Sequence, residues 1–227
     1  WVDEFAVRAI DANFLAFCLT VDLDYYGRRE RDIVKGHISS SRGTAKNESF
    51  QKSLNWDKVK RFKDMHDIPL ILKGIATAED ASIAVELGVE GIYISNHGGR
   101  QLDHCQGSID ILPEVANIVG DKAKVIIDGG IMRGTDVVKA MALGADAVAI
   151  GRLQAFAMAA AGQAGVVRML ELLEKEIQIC LGLLGVNGFD QLNENYLCKD
   201  VSVTFPHVLS AFPLLDEECP TAWKSRD

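Results

Sequence analysis

An α/β fold built on a parallel sheet is what this sequence predicts, and three observations predict it. Five short β-rich apolar runs recur: AFCLTVD (16 to 22), LILKG (70 to 74), GIYIS (91 to 95), VIIDGG (125 to 130) and AVAIG (147 to 151). They are continuous rather than alternating, as strands buried on both faces are, and amphipathic stretches between them supply crossover helices. Two of the units also align at a fixed offset, Gly74 with Gly130, Asp80 with Asp136, Ala84 with Ala140 and Leu87-Gly88 with Leu143-Gly144, an internal βα repeat.

The elements follow in order. The chain starts at Trp1 and enters the helical pattern EFAVRAIDAN at once, so it reads as the later part of something longer. After the first strand, ISSSRGTAKNESFQKS (38 to 53) is polar and aperiodic, a long mobile surface loop. In TAEDASIAVELG, Thr77 caps a first turn, Asp80 stands three residues on, and Gly88 supplies a left-handed stop; GTDVVKAMALG repeats that grammar. The stripe in VVRMLELLEKEIQICLGLLG is a core-facing helix. No G-x-G-x-x-G follows the strands, which favours a (β/α)8 TIM barrel over a dinucleotide-binding sheet. Five strands leave two open edges, so the chain is expected to supply strands 4 to 8, the first three lying upstream in the same or a separate chain. Residues 1–197 are then the barrel part, and 198–227 form a tail that breaks the βα grammar.

Composition narrows the function. With 48% hydrophobic and 25% charged residues over 227, the chain is an ordinary globular one, and a net charge of -8 argues against nucleic acid or an anionic membrane surface as partner. No apolar run approaches the roughly 20 residues of a membrane span and no leader pattern opens the chain, so an intracellular setting without a membrane span is expected. The five cysteines are scattered, with no C-x-x-C pair, which suggests reduced thiols and no metal site.

Chemistry in such a barrel sits at the carboxyl ends of the strands. There the five runs end in Thr20 and Asp22, Lys73, Ser95 to Arg100, Asp128 to Gly130, and Gly151 with Arg152. The last two sets, in DGGIMRG and GR, suit a phosphate, since glycines let the backbone approach an anion and Arg152 adds a fork of donors. Alone, His97 would be read as structural; between Asn96 and GGR at a strand end it reads as catalytic.

These residues, SNHGGRQLD above all, resemble the FMN-dependent L-2-hydroxy acid oxidase and dehydrogenase family (glycolate oxidase, lactate oxidase, flavocytochrome b2, mandelate dehydrogenase), from about residue 7 to 197. The resemblance implies FMN as cofactor, a small 2-hydroxy acid as substrate, oxygen or another electron acceptor, a cytoplasmic or peroxisomal setting, and a homo-oligomer. By the same resemblance His97 is the base, Asp22 its carboxylate partner, Arg100 and Arg29 the clamp on the substrate carboxylate, and Lys73 the cation beside the flavin. Thr20 and Ser95 are flavin or strand-end partners, and Asp128, Gly129, Gly130, Arg133, Gly151 and Arg152 hold the ribityl and phosphate end. The family commonly has two arginines in DGGIRRG, whereas this chain has Met132 then Arg133, so one phosphate-side cation is absent. The family's active-site tyrosines come from the first three strands, and Tyr25, Tyr26, Tyr93 and Tyr196 stand on other motifs. Two alternatives remain at this stage: another FMN-binding barrel enzyme, an isomerase or dehydrogenase, although a carboxylate clamp beside a base is pointless for a diphosphate substrate, and a catalytically incomplete barrel fragment or assembly module.

Overall fold

The computed structural model describes residues 1–25, 27, 34, 36, 52–102 and 104–199. Arg29, all of the expected loop at 38–53 except Lys52 and Ser53, and the tail beyond Lys199 lie outside the described residues.

Five strands, β1 (Phe17–Thr20), β2 (Leu70–Ile75), β3 (Gly91–Ile94), β4 (Lys124–Ile127) and β5 (Ala147–Val148), form one sheet in sequence order, every pair parallel. Helix α1 (Val2–Asp11) precedes β1. The crossovers carry α2 (Trp56–Met65), α3 (Ala78–Glu86), α4 (Ser108–Val119) and α5 (Gly134–Ala142), and α6 (Arg152–Leu184) follows β5. This is the expected series of βα units, with β1 and β5 as its edges.

The two faces of the sheet differ. Leu19, Leu72, Ile92 and Val125 lie on the helix side and are buried, and each such side chain contributes about 1.5–3 kcal/mol. On the other face Thr20, Lys73, Tyr93, Ile126 and Ala147 stand in one register layer. Within it Thr20, Lys73, Tyr93 and Ile126 are half-buried and Ala147 is exposed. The polar chemistry of strand interiors is thus gathered on the face turned from the helices.

The repeat is visible in the caps. Thr77 Oγ1 accepts from Asp80 N at 3.1 Å, and Gly88 ends the unit at φ +74°. The equivalent cap position of α5 is Arg133, which has no hydroxyl; here the Asp136 carboxylate reaches back instead, accepting from Arg133 N (3.0 Å) and Met132 N (3.1 Å).

Contrary to the expectation from short apolar runs, the Arg152–Gln191 stretch is long and apolar enough to cross a membrane by length and composition, with a mean hydropathy of 1.3 in its most apolar window. The helix breaks at Ala161 and Gly162 (φ +55°), and its second half docks on α5. Gly134 permits the contact, because a Cβ there would lie 2.7 Å from both Leu173 O and Ile177 N. Met169 and Leu173 are buried as a core-facing stripe requires, while Leu170, Leu172 and Leu183 are exposed.

At the amino ends of the strands, carboxylates satisfy the first N–H groups. Glu90 Oε2 accepts from Leu70 N at 2.7 Å and pairs with Lys63; Asp146 Oδ2 accepts from Val125 N at 2.8 Å and Oδ1 pairs with Lys124 at 2.7 Å. Glu90 and Asp146 occupy equivalent positions of the repeat. His66, which has no evident partner in sequence, is buried and bonds Asp3 at 2.9 Å, while Arg61 grips the same carboxylate at 2.8 and 3.2 Å.

Candidate active site

Asp22, Lys73 and His97 come from three successive strand ends and meet. His97 Nδ1 lies 2.6 Å from Asp22 Oδ2, so the carboxylate holds the ring proton on Nδ1 and leaves Nε2 as the acceptor. Lys73 Nζ stands 3.3 Å from that Nε2, 2.9 Å from Ser95 Oγ and 3.6 Å from Asp128 Oδ2. Four of the expected site residues therefore surround one ammonium group or its neighbour, and Thr20 is its cross-strand partner on β1.

The backbone builds this geometry at local expense. His97 adopts φ +54°, a left-handed conformation rare outside glycine and worth about 1–3 kcal/mol of strain. Ser95 Oγ accepts from His97 N at 3.2 Å. Asn96 secures the turn, its Oδ1 accepting from Gly99 N at 3.0 Å and its Nδ2 donating to Gln106 O at 3.2 Å. On β2, Gly74 (φ +109°) forms a bulge between Lys73 and Ile75, and a Cβ there would collide with the Asp22 carboxyl group. Gln101 Nε2 donates to Tyr25 O at 3.0 Å, joining the histidine loop to the turn after β1. Arg100 is exposed on that loop.

Tyr93 was not anticipated. Its ring lies below the Lys73 ammonium, 5.1 Å from Nζ to the centroid, and burial, followed by the charge of Asp128, pushes its phenol well above the usual range. The signal available in sequence was register: Lys73 and Tyr93 are cross-strand neighbours on one face. Glu176 was also missed, since nothing in the sequence links it to a turn 42 residues earlier.

At the other end, Arg152 reaches back from the start of α6, its guanidinium 3.2 Å from where a Cβ on Gly98 would be. Gly130 (φ +74°) and Gly151 face open space. Arg133 is not brought to this cluster. Its guanidinium is bound by Glu176 of α6 at 2.6 and 2.8 Å, and Gly134 N donates to the same carboxylate at 2.7 Å.

With this geometry in view the comparisons are decisive. A family described as FMN-dependent dehydrogenase matches residues 1–199. The chain is 39% identical to an L-lactate oxidase of Nostoc sp. over 84% of its own length and 58% of the relative's. To a peroxisomal (S)-2-hydroxyacid oxidase of Arabidopsis thaliana it is 40% identical, with the same 84% and 58% coverage. A crystal structure of mandelate oxidase with 3,3-difluoro-2-hydroxy-3-phenylpropionic acid superposes with a TM-score of 0.75 at 43% identity, over 82% of this chain and 56% of that one. The chain belongs to the FMN-dependent dehydrogenase family. It is part of a TIM barrel and spans rather more than half the length of the relatives it matches.

The residues present fit the family's cofactor. Asp128 Oδ1 is a buried carboxylate oxygen with no hydrogen-bond partner among the described residues, suited to accept from a hydroxylated chain. Next to it Gly129 and Gly130 leave a backbone without side chains, and Lys73 offers a fixed cation at the inner end.

Proposed function

We propose that the whole protein oxidises an L-2-hydroxy acid to the 2-oxo acid with FMN. One observation carries the reading: Asp22, His97 and Lys73 are joined at the strand ends on the face turned from the helices. His97 Nε2 accepts the proton that the substrate loses as two electrons leave its C2 carbon, and Asp22 stabilises the resulting imidazolium. Arg100, with Arg29, clamps the substrate carboxylate and orients C2. FMN, when bound, supplies the two-electron acceptor that no side chain provides. Lys73 would face its pyrimidine edge, where reduction builds negative charge; Thr20 and Ser95 would bond the ring, and Asp128, Gly129, Gly130, Gly151 and Arg152 would hold the ribityl phosphate.

The names of the relatives support a small 2-hydroxy acid as substrate, oxygen as final acceptor, and an intracellular setting, cytoplasmic or peroxisomal. The test is an anaerobic absorbance spectrum of the chain with FMN, before and after L-lactate, glycolate and L-mandelate. Flavin bands that bleach with one acid, and persist in His97→Ala, are the expected result. Bleaching that survives His97→Ala removes the base assignment, and flavin that no hydroxy acid bleaches removes the reaction.

A further inference from the structure

We infer that, among the described residues, a single guanidinium, that of Arg152, holds the phosphate end of the flavin, so that this site separates FMN from riboflavin only weakly. The inference rests on the flavin reading above and concerns how that site recognises its ligand.

Two turns face the phosphate end, DGGIMRG after β4 and GR after β5. In the first, position 132 is a methionine, whose thioether carries no charge, and Arg133 is already committed. Glu176 takes its guanidinium at 2.6 and 2.8 Å, and each partner keeps the other ionised: Arg133 lowers the Glu176 carboxyl and Glu176 raises the guanidinium.

Three backbone donors at the end of this turn are taken as well. Met132 N and Arg133 N donate to Asp136 Oδ2, and Gly134 N donates to Glu176 Oε2. Two carboxylates thus occupy the amino end of α5, satisfying the N–H groups that would otherwise attract an anion and repelling a second one. The start of α6 is different. Gly151 makes no side-chain cap there, the first turn has no acidic residue, and the Arg152 guanidinium projects over Gly98. Among the described residues, charge recognition of the phosphate falls to that one side chain.

An arginine–phosphate pair is worth about 10- to 100-fold in affinity, so the missing second one sets the size of the effect. FMN and riboflavin share a ring and ribityl chain and differ only in the phosphate. Both are fluorescent, and quenching titrations of each with the chain, Met132→Arg, Met132→Leu and Arg152→Gln, checked for folding by circular dichroism, give the comparison.

The chain as it stands should bind FMN only about 10- to 100-fold more tightly than riboflavin, the contribution of its one remaining pair. Met132→Arg should tighten FMN by about 10- to 100-fold while riboflavin stays the same. Met132→Leu should change neither, and Arg152→Gln should erase the remaining preference. A folded Met132→Arg with an unchanged ratio, or an unaltered chain that prefers FMN by more than about 100-fold, overturns the inference and leaves the flavin reading standing. Failure of the whole protein and of each of these variants made in it to bind either flavin overturns both.

Discussion

The two rims of the sheet are built on opposite terms. At the amino rim, carboxylates meet backbone N–H groups and cations: Glu90 holds Leu70 N and Lys63, Asp146 holds Val125 N and Lys124, and Asp3 holds Arg61 and His66. At the carboxyl rim, Asp22 Oδ1 and Asp128 Oδ1 are buried without hydrogen-bond partners among the described residues, His97 is strained, and one ammonium stands among Ser95, His97 and Asp128. One rim serves stability. The other keeps polar capacity in reserve for a ligand, which is how the βα architecture divides labour.

If this division holds, a substitution at the carboxyl rim changes rate without stability. Asp22→Asn keeps the shape of the side chain and removes the charge that, in the proposed reaction, stabilises the imidazolium. Flavin reduction by the hydroxy acid in stopped flow should slow by roughly 10²- to 10⁴-fold, with the urea midpoint unchanged. A large fall in stability alongside the rate would show that Asp22 is structural.

Gly74 is where the comparison should break. Its φ of +109° and the contact of an added Cβ with the Asp22 carboxyl group place strain and the proposed catalytic carboxylate at one point. Gly74→Ala should destabilise by about 1–3 kcal/mol and also slow reduction. A variant with full stability and reduced rate would mean that the bulge serves the site alone.

The amino rim offers the converse. Glu90→Gln weakens the pair with Lys63 and the bond from Leu70 N, and should lower stability by about 1 kcal/mol with flavin affinity unchanged. Loss of flavin binding in this variant would mean that the rims are coupled through β2.

Legibility in the sequence followed the same line. Strand runs and the polar residues ending them were readable because both are local: a continuous apolar run followed by a glycine or a charge marks a buried strand and its functional end. The meeting of Asp22 with His97 across 75 residues was named through family resemblance, and the 2.6 Å contact gives it geometry. What was illegible depends on the packing of distant helices. The commitment of Arg133 to Glu176 requires α6 to dock on α5 over Gly134, and no pattern within DGGIMRG shows it. Likewise, no spacing revealed that His66 is buried against Asp3 at the start of the chain. The membrane-length apolarity of Arg152–Gln191 is not visible as a continuous run, because a stretch broken by scattered polar residues still averages to a high hydropathy.

The smallest effect tests the amino rim by pH. Arg61 first, then His66, hold the Asp3 carboxyl at about 2, down from 3.8. A carboxylate depressed in the folded state stabilises above its unfolded value and loses that contribution as pH falls through the folded one, so the window runs from about 4 down to 2. Asp3 is 41% exposed and solvent screens the pair, which limits the contribution to less than about 1 kcal/mol. The gap in urea midpoint between the chain and Asp3→Asn should be widest at pH 5 and close as pH is lowered through that window. A gap that stays constant would mean that Asp3 acts through packing of α1, and that the charge network of the amino rim contributes nothing measurable there.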